Sequence, residues 1–231
     1  MLWLDGVQIE QAGFRLAADW RLDRGARAAV MGPSGAGKST LLSVISGFLT
    51  PVSGRVVWEA EDLSDVPPGK RPLSILFQDQ NLFPHLTISQ NLALGLRPDM
   101  QLSVEEKARI DAVLERVGLA GLASRRPAQL SGGQMGRAAL ARALLRARPL
   151  LLLDEPFAAL GPALKAEMVE LVAEVAEETG ATVLMVTHDP KDAQSFSSKT
   201  ILVAEGLAHP PKETQALFAD PPDVLKDYLG R

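Results

Sequence analysis

Cysteine is missing from this chain of 231 residues. Disulfides and thiolate metal sites are therefore excluded, which fits a reducing compartment. No apolar run approaches the ~20 residues that cross a bilayer, so any membrane connection is expected to run through a partner. The opening Met1-Leu2-Trp3-Leu4-Asp5-Gly6 lacks a basic stretch followed by an apolar core, and no secretory signal is expected from it. A basic excess is also lacking: the formal net charge is -4, which argues against a broad nucleic-acid-binding surface. Internal repeats and low-complexity tracts are absent. What remains is an ordinary globular composition, long enough for one domain with a subdomain.

The most informative stretch is Gly32-Pro33-Ser34-Gly35-Ala36-Gly37-Lys38-Ser39-Thr40, which fits G-x-x-x-x-G-K-[ST]. Its glycines let successive backbone N–H groups point inward as a nest for phosphate oxygens. Lys38 adds a point charge for the β- and γ-phosphates, and Ser39 offers a hydroxyl to Mg²⁺. The context agrees with the pattern. Ala28-Ala29-Val30-Met31 reads as a buried strand entering the loop. Leu41, Leu42, Val44 and Ile45 read as the apolar face of a helix leaving it, with its N-terminus turned to the phosphates.

Strands alternate with helices along much of the chain, which implies a largely parallel sheet covered on both sides. Short strands are expected at Val7-Gln8-Ile9, Phe14-Arg15-Leu16, Gly54 to Trp58 and Leu73 to Phe77. Residues 79–148 read as mainly helical. Within them Ser103-Val104-Glu105-Glu106 is a capping box, and Gly118 is a natural stop for the helix it opens. Leu150 to Leu153 reads as a buried strand. Pro162 suits a first helical position, and Gly180 lies just past that helix. Thr182 to Val186 is a further buried strand. Pro210-Pro211 and Pro221-Pro222 punctuate a short tail.

Three strand ends carry polar groups toward the loop. Asp154 and Glu155 follow the leucine strand at the edge where ligands bind in such sheets. Asp154 is placed to hold Mg²⁺ and Glu155 to polarise an attacking water. An acidic pair after a strand also serves as a turn cap, but downstream of a phosphate loop the catalytic reading prevails. His188 is placed to touch the γ-phosphate or fix the water, or else is an ordinary polar strand end. Gln78 is placed to complete the metal shell, and Asp79 beside it to cap a turn. His85 and His209 read as ordinary polar residues. Leu130-Ser131-Gly132-Gly133-Gln134 adds a second phosphate-binding helix end, capped by Ser131. One small nucleotide does not need two such ends from one molecule, so each end is expected to serve a nucleotide held mainly by another copy. Alternatively, the stretch is a plain helix start after a turn.

On these residues the chain resembles the nucleotide-binding subunit of ATP-binding cassette (ABC) transporters, over nearly its whole length. Gly32 to Thr40 resembles the Walker A loop, Gln78 the Q-loop glutamine and Leu130 to Gln134 the signature LSGGQ. Leu150 to Glu155 resembles Walker B with its catalytic glutamate, and His188 the switch histidine. The resemblance implies an α/β fold: a P-loop NTPase (RecA-like) core with a mainly parallel sheet, a small antiparallel β subdomain and an inserted α-helical subdomain. The core would take in about 1–78 and 149–231, the helical insert about 79–148. It further implies ATP and Mg²⁺, with Ser39, Gln78 and Asp154 at the metal. Catalysis would fall to Glu155, His188 and Lys38. The partners implied are a second copy that sandwiches two ATP head to tail, an integral membrane permease and, indirectly, a periplasmic substrate-binding protein. The place implied is the cytoplasmic face of a bacterial inner membrane.

Finer features resemble the ATPases of bacterial importers. They are Pro67 to Pro72 leading into Leu76-Phe77-Gln78, then Asn81 to Thr87, with Leu82, Phe83, Pro84 and Leu86 as candidate lining for a permease groove. Gly47 to Pro51 and Leu94 to Pro98 resemble the thiamine and thiamine pyrophosphate importer branch most, with iron, polyamine and sulfate importers as alternatives. Three departures stand out. Gly161 replaces the usual aspartate that contacts the opposite subunit, which leaves cross-dimer coupling open and a weakly hydrolysing ATP-dependent switch as an alternative. Met135-Gly136-Arg137 replaces a more polar triplet, and Gly136 inside a helix costs roughly 1 kcal/mol relative to alanine. The aromatic that stacks on adenine would be Phe14, whose spacing to Lys38 is short, or Trp3. The long coiled coil or second cassette of ABC proteins in DNA repair, chromosome organisation or translation is absent. A small-molecule P-loop kinase has no use for Leu130 to Gln134.

Overall fold

The computed structural model describes residues 1–11, 13–78 and 82–229. Two long strands, β1 (Leu2–Gln11) and β2 (Phe14–Leu22), open the chain as an antiparallel hairpin. Leu2 and Leu4 face the core, and so do Val7 and Ile9, with one extra residue between the two pairs. A register irregularity between Leu4 and Val7, with Gly6 at φ 58°, absorbs that residue and explains the loose alternation of the sequence. After β3 (Arg27–Met31) and α1 (Lys38–Ser46), β4 (Ser53–Trp58) and β5 (Glu61–Asp62) complete the antiparallel part. β6 (Leu73–Leu76) then leads to α2 (Ile88–Leu96), α3 (Val104–Arg116) and α4 (Gly132–Leu145).

The second half alternates strand and helix: β7 (Leu150–Asp154), α5 (Pro162–Thr179), β8 (Thr182–Val186), α6 (Pro190–Phe196) and β9 (Lys199–Ala204). Short strands β10 (Leu207–Ala208) and β11 (Lys212–Glu213) and helices α7 (Thr214–Ala219) and α8 (Asp223–Leu229) follow. The sheet order is β5-β4-β1-β2-β10-β9-β3-β8-β7-β6, with β11 on β9. β9, β3, β8, β7 and β6 run parallel. The sequence reading contains no strand at β9, which pairs with β3 at the middle of the sheet.

Every residue of β7 and β8 is buried, as a strand covered on both faces requires. Their alternation splits the interior in two. Leu150, Leu152, Leu184 and Val186 pack with α1 and the antiparallel strands. Leu151, Leu153, Val183 and Met185 pack with α2, α3, α4 and α5. Ser103 and Glu106 form the expected capping box at α3, and Thr87 with Gln90 forms another at α2. Among the described residues no helix is long and apolar enough to cross a membrane.

Arg71, only 2% exposed, ties the loop before β6 to the end of α1. Its Nη1 donates to the carbonyls of Val44 (2.9 Å) and Ile45 (2.8 Å), and its Nε to that of Val66 (2.7 Å). A buried cation thus meets the negative end of the helix dipole and satisfies its last carbonyls. We expect Arg71→Met to remove the guanidinium donors from the Ile45 and Val66 carbonyls, while Val44 keeps the Gly47 N–H, and to cost about 3 kcal/mol. That is roughly 10 °C in the thermal unfolding midpoint of a chain this size, readable by calorimetry. An unchanged midpoint would contradict this role.

Candidate functional site

The parallel register aligns four strand ends along one edge. Val30 of β3 lies level with Val186 of β8, and Val186 with Asp154 of β7. Leu76 of β6 lies level with Leu153. The residues just beyond these ends are Gly32, His188, Glu155 and Gln78. The sequence-predicted groups are therefore brought to one edge by strand pairing.

Residues 32–37 form a tight loop between β3 and α1. Gly37 takes the N-cap position at φ 103° with no side-chain cap. A Cβ there would run into the Phe14 ring, so the loop needs glycine on steric as well as torsional grounds. The α1 N-terminus thereby offers main-chain donors and a positive dipole end to an anion. Lys38 Nζ donates to the carbonyls of Gly32 (2.8 Å) and Pro33 (2.9 Å), which folds its charge over the loop. Burial lowers the Lys38 pKa, against the pull of Glu155 and Asp154.

Asp154 is buried at the end of β7. Burial raises its pKa, and Glu155 adds to this, against a hydrogen bond from Ser39 and the charge of Lys38. A desolvated carboxylate beside a hydroxyl is a donor pair suited to a hard cation. Among the described residues no group of three or more His, Asp or Glu side chains could hold a metal on its own. The pair fits Mg²⁺, an ion that commonly keeps waters and phosphate oxygens as its other ligands.

Glu155 adopts φ 46°, an uncommon conformation for a non-glycine residue. Its N–H donates to the Val186 carbonyl at 3.1 Å, so the turn is pinned to β8. The Glu155 Oε2 lies 3.3 Å from Nδ1 of the exposed His188. Glu155 and Gln78 line one cleft of about 270 Å³ with Pro156, Ala158 and Ala159. Glu155, His188 and Gln78 thus converge, as the sequence suggests. Asp79 and Asn81 fall outside the described residues.

The Leu130 to Gln134 stretch forms a helix start. The Ser131 hydroxyl accepts from Gln134 N–H (3.3 Å), and Gln134 Oε1 accepts from Ser131 N–H (2.9 Å). Ser131 and Gly132 are exposed, and Gly133 sits against Leu160 and Ala159 of the turn that follows Glu155. Met135, Gly136 and Arg137 do not break α4, which runs unbroken to Leu145. Arg137 Nη1 donates to Val117 (2.7 Å) and Gly118 (3.0 Å) carbonyls and so fastens α4 to the end of α3. Gly161 is the N-cap of α5 at φ -68°, with open space where a side chain would stand. Phe14 packs on Gly37, whereas Trp3 lies at the other end of the hairpin under the Arg21 guanidinium.

Sequence reasoning missed two contributors. Lys165 Nζ reaches Asp189 Oδ2 (2.7 Å) and Asp192 Oδ2 (2.9 Å), joining α5 to the start of α6. Tyr228 of α8 bonds the His188 main chain. Neither belongs to a motif, and only the fold brings them near the edge.

Known proteins are similar to this chain in sequence and in fold. A protein of Cereibacter sphaeroides named as a thiamine import ATP-binding protein is 64% identical over 100% of both chains. One of the same name from Yersinia pseudotuberculosis is 48% identical over 94% of this chain and 92% of its own. A dimeric, post-hydrolysis ATP-binding cassette bound to ADP and Pi superposes with TM-score 0.83 at 31% identity, covering 93% of this chain and 99% of that one. The ADP conformation of another ABC transporter cassette gives TM-score 0.85 at 26% identity, over 100% and 99%. Residues 17–158 match the ABC transporter family. With phosphate loop, acidic pair and serine-capped glycine helix in one α/β sheet, this chain belongs to that family.

Proposed function

We propose that this chain is the ATP-hydrolysing subunit of a bacterial thiamine importer. The observation that carries the chemistry is the shared sheet edge, where the phosphate loop, Asp154, Glu155, His188 and Gln78 meet. The names of full-length relatives support thiamine as cargo. Iron, polyamine or sulfate import is the alternative.

In this reading the loop donors and Lys38 grip the phosphates of ATP. Phe14, half-buried against Gly37, is the aromatic offered to the adenine. Ser39 and Asp154 would hold Mg²⁺, with Gln78 beside them, and the ion would offset negative charge on the phosphate oxygens. Glu155 takes a proton from water, and His188 steadies that carboxylate. The water oxygen bonds the γ-phosphorus, the bond to the bridging oxygen breaks, and ADP leaves with its electron pair.

The exposed Ser131 end of α4 would close on the triphosphate held by a second copy. The dimeric cassettes of similar structure support such a pairing. Helices α2, α3 and α4 would then move with the signature as one lever. Phe48 and Phe83 are 60% and 44% exposed, and Phe48 stacks edge-on with Phe77 at 5.3 Å. The Phe48 and Phe77 rings, the latter next to Gln78 in the chain, offer an apolar contact suited to a permease helix. A permease in the inner membrane and a periplasmic thiamine receptor complete the system, with this chain on the cytoplasmic face.

Two outcomes are expected once the chain is assembled with its permease in vesicles. Glu155→Gln should lower phosphate release by about 100-fold or more while ATP still binds and drives pairing, as light scattering would report. Parental turnover in that variant would remove Glu155 from the reaction. With the receptor present, thiamine should stimulate turnover and a polyamine, iron or sulfate should not. Stimulation by one of those instead would reassign the cargo.

A further inference from the structure

We infer that the C-terminal helix α8 acts on the reaction through Tyr228, a positioning residue that holds the main chain of His188. The inference rests on the role of His188 proposed above. The Tyr228 hydroxyl donates to the His188 carbonyl at 3.0 Å, a contact spanning 40 positions. His188 lies between β8 and α6 and belongs to neither element.

Its neighbours are fastened by other groups. Thr187 N–H donates to Val30 (3.2 Å) and Asp189 N–H to Thr187 Oγ1 (3.1 Å). Lys165 binds both Asp189 and Asp192. Tyr228 supplies the hold at His188 itself. The helix that carries it is anchored, because the ring packs where two apolar clusters meet. One contains Ala29 and Met31 of β3, the strand that enters the phosphate loop. The other contains Leu202 and Ala204 of β9 with Leu225 of α8. The hydroxyl is therefore fixed relative to the same strands that fix the loop. Burial, with the negative charges of Glu155 and Asp189, raises the phenol pKa. Packing alone would be served equally by phenylalanine; among the described residues the hydroxyl adds this one bond.

The test is Tyr228→Phe in the full chain assembled with its permease, alone and combined with His188→Ala. We expect ATP KM and the unfolding midpoint to stay at parental values and kcat to fall roughly three- to tenfold. Hydrogen exchange at the amides of Asp189, Lys191 and Ala193 should quicken. In the His188→Ala background the second substitution should change kcat no further. A parental kcat in Tyr228→Phe while His188→Ala is impaired would overturn the tether and leave the role of His188 standing. Multiplying losses in the double variant would also overturn it. Parental turnover in His188→Ala would remove the histidine from the reaction and the tether with it, whatever the exchange rates showed.

Discussion

Strand register is the constraint on which the site depends. In a parallel sheet, neighbouring strands that start level also end level, and their following residues share one edge. Val30, Val186 and Asp154 lie in one row, and Leu153 and Leu76 in the row behind. A slip of one residue in β7 would turn Asp154 from one face of the sheet to the other. The two interior clusters oppose such a slip, because Leu150 and Leu152 belong to one and Leu151 and Leu153 to the other. The leucine run that looks featureless in sequence thus sets the position of the carboxylates.

Around that edge the protein concentrates electrostatic cost. Asp154 is buried with a raised pKa, Lys38 is partly buried with a lowered one, and Glu155 holds an uncommon backbone angle. Each feature is unfavourable for the chain alone. Together they suit a ligand that carries both phosphate and a divalent cation, which would pair with Lys38 and Asp154 at once.

Much of this was legible in the sequence, where local chemistry decides structure. The phosphate loop, the capping box at Ser103, the Ser131 cap and strand β8 all follow from motifs or from uniform apolar runs. The loose pattern of β1 hid a bulge, because one inserted residue shifts the phase of alternation. β9 begins with polar Lys199 and Thr200 after two serines and so blends into the preceding loop. Lys165 and Tyr228 were invisible for another reason: their partners lie 24 and 40 positions away, and only the folded sheet joins them. Gly161 was legible as a departure. The structure shows that α5 starts without a side-chain cap and leaves room for a larger residue there.

The proposed mechanism divides each catalytic site between two copies: the phosphate loop of one and the Ser131 helix end of the other. Mixed dimers test that division most directly. In one preparation Lys38→Ala and Ser131→Arg sit on the same chain, opposite an unaltered copy. In the other, each substitution sits on a different copy. Sites shared between copies leave no intact site in the first preparation and one intact site in the second, so ATP turnover should survive only in the second. Turnover surviving only in the first would mean that each chain completes its own site, and the account would be wrong.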